Sequence, residues 1–338
     1  MQSKTCIIKA FSDYSGGFFI VKKFLSLALV MIFALPAFSA EYPEHDIDGV
    51  IQWGVGGVTD VLTRALCHKA ETYLNKNIKL ENIPGDTGVV GFQEVYNKPA
   101  DGYTLLLGAE NPTLYRALKL CEQTYNDFEC IYLIGDVTAG VMVRPDSKYK
   151  SFKEIIKDAL ANPGQLKYAT TGRGSLHWIM AAFIKDITGA TFDLKEYDSN
   201  GTAKEAVING ECDFTVCLLQ QAADDIRLGR ANFLCVFSLD VPDSLHGVPA
   251  VIDEYPEFTK YFPWGSFYGV FVKKGTDQKI VQKLKDAFIK AGNDHDFQKL
   301  LIDYNVNFLG YSGEEAERYI SNWKGNTIDA LLTSGAIE

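Results

Sequence analysis

The 338-residue sequence predicts an α/β protein folded in two halves around a cleft. Three observations point there. From Ile47 onward, short apolar runs alternate with stretches of helical spacing, the rhythm of strand–helix units. Two glycine-rich segments, "WGVGGVTD" (Trp53–Asp60) and "TTGRGSLHW" (Thr170–Trp178), each stand between a strand pattern and a helix pattern. A late apolar strand, "SFYGVFVKKGT", follows the second series and is succeeded by helices. A chain arranged this way crosses back to complete its first half, with crossovers expected near 143–146 and 262–268.

The elements follow in order. "GVIQWG" is the first strand, and Val61, Leu62, Ala65, Leu66, Ala70, Tyr73 and Leu74 form the apolar stripe of the next helix. "IKLEN" is a second strand, closed by the turn "IPGDTG"; a short helix over Val89–Tyr96, the Asp101-Gly102 turn and the strand "YTLLLG" come next. These units are right-handed by default. A longer strand, "IYLIGDVTAGVMVRP", runs to Pro145. Ser151 and Glu154 then form a capping box before a helix, which stops at Pro163-Gly164 ahead of a strand into the second glycine loop. Helices at 175–188, 202–209 and 221–228 alternate with strands at 191–197, 212–218 and 232–238. Helices over Asp277–Ala291, His295–Tyr304 and Gly313–Leu332 close the chain.

Residues 1–39 stand apart. Two lysines, Lys22 and Lys23, precede an unbroken apolar run from Leu27 to Leu35, then Pro36 and the small residues Ala37 and Ser39. That order is a secretory signal peptide, and its apolar part is too short for a permanent membrane span. Cleavage after Ser39 leaves a mature chain beginning at Ala40; translation from Met1 and from an alternative start at Val21 both remain open. The formal charge of −10 argues against nucleic acid as a partner, and removing four Lys and one Asp with the signal segment makes the mature chain more acidic still. Six cysteines remain: Cys67, Cys121, Cys130, Cys212, Cys217 and Cys235. An exported protein permits bridges, with Cys121–Cys130 and a link from Cys212 or Cys217 to Cys235 the candidates, while buried free thiols are an equal alternative. No metal-ligand spacing is present and no cofactor is implied.

The first glycine loop exposes backbone N–H groups at a helix start, where an anion is favoured, and Thr59 or Asp60 is placed to cap the helix. A phosphate loop requires a Lys followed by Ser or Thr, which is missing; Gly54-Val55-Gly56 opens a dinucleotide fingerprint whose sixth position is Thr59. In the second loop Arg173 offers a planar fork suited to a carboxylate, and Ser175 serves as cap and donor. His177 reads as a structural group. Residues two apart on a helix do not face each other, so Ser175 and His177 make no catalytic pair. "GRGSL" is likewise not a nucleophile elbow, and an enzyme is not expected.

Taken together, "YPEHDIDGVIQWGVGGVTD", "ENIPGDTGVVGFQEVYNKPADGYTLLLG", "YATTGRGSLHW", "VINGECDF", "IRLGRANFL" and "VPAVIDEYPEF" resemble, in order and spacing, the Bug-type periplasmic solute receptors of tripartite tricarboxylate transporters. The resemblance covers essentially the whole mature chain. It implies a two-lobed type II periplasmic binding protein that closes like a flytrap on a ligand between the lobes. The lobes would be 40–144 with 265–338, and 145–264. The implied ligand is a small organic carboxylate (a di- or tricarboxylate, an amino acid or an aromatic acid) passed to the membrane subunits of the transporter, the receptor acting as a monomer. The alternative is a periplasmic ligand sensor for a membrane signalling protein.

Carried over residue by residue, the first contact set is Trp53, Gly56, Gly57, Val58, Thr59 and Asp60, and the second is Thr171, Gly172, Arg173, Gly174 and Ser175. Ala109, Glu110, Ser199, Cys217 and Phe267 are expected to line the cleft. Val58 replaces the family's usual polar residue, Glu110 adds an acid, and Arg173 stands where a neutral polar residue is usual.

Overall fold

The computed structural model describes residues 41–239, 241, 245, 247–262 and 264–338, so the signal-peptide reading and the choice between Met1 and Val21 fall outside the described residues. β1 (Ile47–Ile51) pairs in parallel with β2 (Ile78–Asn82) on one side and β3 (Thr104–Ala109) on the other. Between β1 and β2 lies α1 (Val58–Leu74), which buries Leu62, Leu66, Cys67, Ala70 and Leu74 at three- and four-residue spacing. It ends at Asn75, whose left-handed backbone (φ 55°) lets its N–H reach the carbonyl of Glu71.

The chain continues through α2 (Val89–Tyr96), α3 (Tyr115–Leu118), β4 (Phe128–Val137), β5 (Ala139–Val143), α4 (Phe152–Ala161), β6 (Lys167–Thr170) and α5 (Leu176–Thr188). Then come β7 (Asp193–Glu196), α6 (Asn200–Ile208), β8 (Thr215–Leu218), α7 (Leu219–Arg227), β9 (Asn232–Phe237) and α8 (Val251–Glu254). β10 (Ser266–Lys273), α9 (Gln278–Gly292), α10 (His295–Asp303), β11 (Val306–Tyr311) and α11 (Gly313–Thr333) complete it. The strand β11 was not expected from the sequence; of its six residues just Val306 is buried, so it carries no alternation of buried and exposed positions.

One sheet has the order β11–β4–β10–β3–β1–β2. The returning β10 inserts antiparallel between β3 and β4, so the sheet is mixed rather than largely parallel. In the second half β5 lies antiparallel between β8 and β9, β6 pairs in parallel with β7, and a parallel bridge from Tyr168 to Phe214 joins the two groups. The returning strand β10 opens at Ser266.

The run read as one strand to Pro145 is two strands broken at Thr138, and β5 already belongs to the second half. The crossing thus sits ahead of 143–146. Both strands are apolar and buried throughout, so nothing in their pattern marks the change of sheet. The C-terminal segment is also not confined to the first half, because the ammonium of Lys185 on α5 donates to the carbonyl of Ser334 (2.7 Å). All six described cysteines are free thiols.

At the junction of the returning strand with α11, Trp264 and Trp323 lie nearly parallel, 5.7 Å apart, and Phe267 meets Trp323 edge-on. The indole N–H of Trp323 donates to the carbonyl of Gly265 (2.9 Å), which fixes the start of β10. Trp323 is fully buried. Trp323→Ala is expected to cost about 3–5 kcal/mol of unfolding free energy through lost transfer energy and the cavity left behind, read from urea unfolding curves.

Candidate functional site

The C-terminal ends of β1, β3, β6 and β8 open toward a single cavity of about 510 Å³, the position where α/β sheets present ligand loops. Its walls include Trp53, Gly57, Val58, Thr59, Ala109 and Glu110 from one half and Thr171, Arg173, Ser175 and Ser199 from the other. The two glycine loops therefore do face one space.

The first loop turns at Gly56 (φ 82°), a conformation that side chains rarely adopt. Gly57 occupies the cap position of α1 with no side-chain cap, so neither Thr59 nor Asp60 caps the helix as expected. Asp60 instead reaches back: its Oδ2 accepts from the Gly56 N–H (2.9 Å), and its Oδ1 accepts from Arg64 Nε (2.7 Å) and Asn82 Nδ2 (2.9 Å). Asn82 also donates to the Trp53 carbonyl (2.8 Å), so both ends of the loop are held from beneath. Burial pushes the Asp60 carboxyl up, but the bonds from Gly56, Asn82 and Arg64 outweigh it and hold it below the ordinary carboxylate value. With the loop fixed this way, the first-turn N–H groups of Val58 and Thr59 have no intrahelical acceptor, and both residues border the cavity.

The second loop is built similarly. Gly172 (φ 88°) and Gly174 (φ 84°) shape it, and Ser175 caps α5 by accepting from the Trp178 N–H (3.3 Å). His177 is buried beneath, its Nδ1 3.3 Å from the Thr171 hydroxyl, and its carbonyl accepts from the Tyr168 hydroxyl (2.7 Å). Desolvation pushes the His177 imidazole down to about 4, so it is neutral and structural. Arg173 is exposed above the Trp178 ring (5.9 Å) and makes no hydrogen bond or ion pair among the described residues. Ser199 caps a third helix, α6, through a capping box with Thr202.

Six expected contact residues stand back from the cavity. Gly56, Asp60, Gly172 and Gly174 set the loop geometry without lining it. Cys217 and Phe267 point the other way: Cys217 packs in the core against Met142 (Sγ–Sδ 3.8 Å), and Phe267 packs against Tyr319 and Trp323. Strand neighbours alternate faces, so Leu218, Ser266 and Tyr268 take the cavity positions in their place. Thr87, Asn111, Asp198, Asn200, Gln220 and Gln221 also line it and were not expected. The usable signal was positional, since Asp198, Asn200, Gln220 and Gln221 stand just beyond strand C-termini.

Glu110 continues directly from β3, is 7% exposed, and its Oε2 accepts from the Ser266 hydroxyl (2.6 Å). Desolvation pushes its carboxyl up to about 7, only partly offset by the Ser266 bond. The Nε2 and Oε1 of Gln220 are both buried, and neither makes a hydrogen bond although the amide lies near the Tyr268 hydroxyl.

Two α/β halves joined by crossing strands, with glycine loops facing a shared cavity, define a two-lobed solute-binding protein of the type II periplasmic class. Residues 62–331 match the family described as Tripartite tricarboxylate transporter family receptor, and the chain belongs to that family. Protein BugT of Bordetella pertussis is 28% identical over 266 residues, covering 75% of this chain and 80% of BugT. The crystal structure of a TctC solute binding protein from Polaromonas superposes with a TM-score of 0.73 at 23% identity, over 86% of this chain and 99% of the other. That of R. palustris Rpa4515 with adipate gives 0.75 at 20% identity, over 88% and 99%.

Two outcomes test how the loops are held. Asp60→Ala is expected to lower unfolding free energy by about 2–3 kcal/mol near neutral pH. Because the Asp60 value is lowered in the fold, urea titrations should show that difference present above pH 3.8 and lost as the pH falls through the lowered value. For His177 the native value is depressed, so wild-type stability should decline as the pH falls from 6.5 toward about 4. His177→Phe should decline less over that window, as followed by melting temperature.

Proposed function

We propose that the protein is an extracytoplasmic receptor that takes a small organic carboxylate into this cavity and hands it to the membrane subunits of a tripartite tricarboxylate-type transporter, acting as a monomer and performing no chemistry. The observation that carries the reading is the pairing of the α1 first turn with the unpaired Arg173 across one cavity. Arg173 is the sole cation among the described lining residues. Backbone N–H groups on one side and a guanidinium on the other make complementary partners for a carboxylate. Family membership and the adipate named with the Rhodopseudomonas relative support the carboxylate class.

The contact residues in this reading are Trp53, Gly57, Val58, Thr59, Thr171, Arg173, Ser175 and Ser199. The lobes divide at Thr138 rather than 144, and again before β10. Closure follows from ligand contacts made by both lobes, since only a higher affinity for the closed form shifts the population toward it. Ser175 and the buried neutral His177 offer no nucleophile–base pair, in keeping with binding alone.

A thermal-shift screen against a carboxylate and amino-acid library should raise the melting temperature with true ligands, because binding stabilises the native state by RT ln(1 + [L]/Kd). Arg173→Ala is expected to weaken the ligand found by about 1.5–3 kcal/mol in calorimetry. An unchanged Kd would remove Arg173 from the site.

A further inference from the structure

Glu110 is an acid without a cationic partner. The side chains that sense its charge are hydroxyls on three elements and one turn. Ser266 on β10 donates to it, and Tyr268 on β10, Tyr115 on α3, Tyr125 in the turn before β4 and Tyr319 on α11 lie within range of its charge without a hydrogen bond to it. Burial raises each of these tyrosine hydroxyls further above its ordinary value, so none of them ionises near neutral pH. Asp136 on β4, a second acid, acts on Tyr268. No Lys, Arg or His acts on Glu110. Beside Tyr268, the buried amide of Gln220 makes no hydrogen bond of ordinary geometry; the Tyr268 hydroxyl is a polar neighbour, and the Gln220 Oε1 has no donor. The cavity thus has one polar corner that the fold leaves incomplete, and a buried polar group in that condition is costly unless something binds to it.

The charge of the lining residues points the same way. Glu110 and the exposed Asp198 are acids, and Arg173 is the cation. A ligand with two carboxylates would find one cation and would set a like charge against Glu110 or force it to stay protonated. A ligand with one carboxylate and one ammonium would meet a partner at each end.

Building on the receptor reading, we infer that the ligand is an amino carboxylate, bound with its carboxylate toward Arg173 and the α1 first turn and its ammonium against Glu110 and Gln220. Glu110 and Gln220 then determine which carboxylates are accepted.

The test uses matched pairs that differ in carboxylate against ammonium: succinate and β-alanine, glutarate and γ-aminobutyrate, adipate and δ-aminovalerate, together with the α-amino acids. Calorimetry on the full mature chain should show an amino member binding at least tenfold more tightly than its dicarboxylate partner. Glu110→Gln should weaken the amino member about tenfold or more and leave dicarboxylates unchanged or tighter. Proton exchange on the wild type, measured in buffers of different ionisation enthalpy, gives a second readout that holds even if the variant does not fold. Because burial raises the Glu110 carboxyl to about 7, an ammonium that favours the ionised carboxyl should release protons near neutral pH, whereas a dicarboxylate should draw protons in. Tighter dicarboxylate binding with proton uptake would overturn the inference and leave the receptor reading standing, as would a folded Glu110→Gln that binds amino members unchanged. If no compound of either kind binds, the receptor reading falls and takes the inference with it.

Discussion

A single strand direction passes from one half of the molecule to the other with only Thr138 between β4 and β5, and the arrangement of the cavity depends on how that passage is held. Asp136 accepts from the Tyr319 hydroxyl (2.5 Å) and from Asn307 Nδ2 (2.9 Å); the same amide donates to the Thr138 hydroxyl (3.2 Å). The Thr138 carbonyl accepts from the Leu219 N–H (2.9 Å) at the start of α7. One residue is thereby tied to β11 and, through Asp136, to α11 on one side and to the wall carrying Gln220 and Gln221 on the other. Burial raises the Asp136 carboxyl, and its two donors only partly offset that effect. The same strand sets the register of β10, since Ser266 lies opposite Val137 and Tyr268 opposite Gly135, which brings their side chains to the cavity.

Around that passage the site is made mainly of backbone and small polar groups. Asp60 and Asn82 hold one glycine loop, Thr171 and His177 underlie the other, and Ser199 caps a third helix at the rim. Groups held this way lose little freedom when a ligand arrives, so binding energy is not spent on ordering them. What departs from this pattern is the set of ionisable side chains, Arg173 and Asp198 in solvent and Glu110 buried. Their unlike environments give the cavity chemically different ends.

The parts of this design that are legible in the sequence are local ones. A glycine run between a strand pattern and a helix pattern is built from neighbours in the chain, so local pattern marks the two loops, and the family resemblance carries contact positions onto them. The strand order is partly legible, because a late apolar strand has few places to go, but its insertion between β3 and β4 is not.

The misplaced side-chain faces and the unseen change of sheet share one physical origin. β4, β5, β8 and most of β10 are buried on both faces, so their side chains show no polar–apolar alternation. Without it the sequence could not show that Cys217 and Phe267 face the core while Leu218, Ser266 and Tyr268 face the ligand space, nor that the chain changes sheets at Thr138. The sequence by itself determined the two α/β halves, the paired anion-favouring loops and the placement of an acid and a guanidinium near them. Only the tertiary structure decided which face of each buried strand meets the cavity and that Glu110 stands there without a cation, because both depend on contacts between residues far apart in the chain.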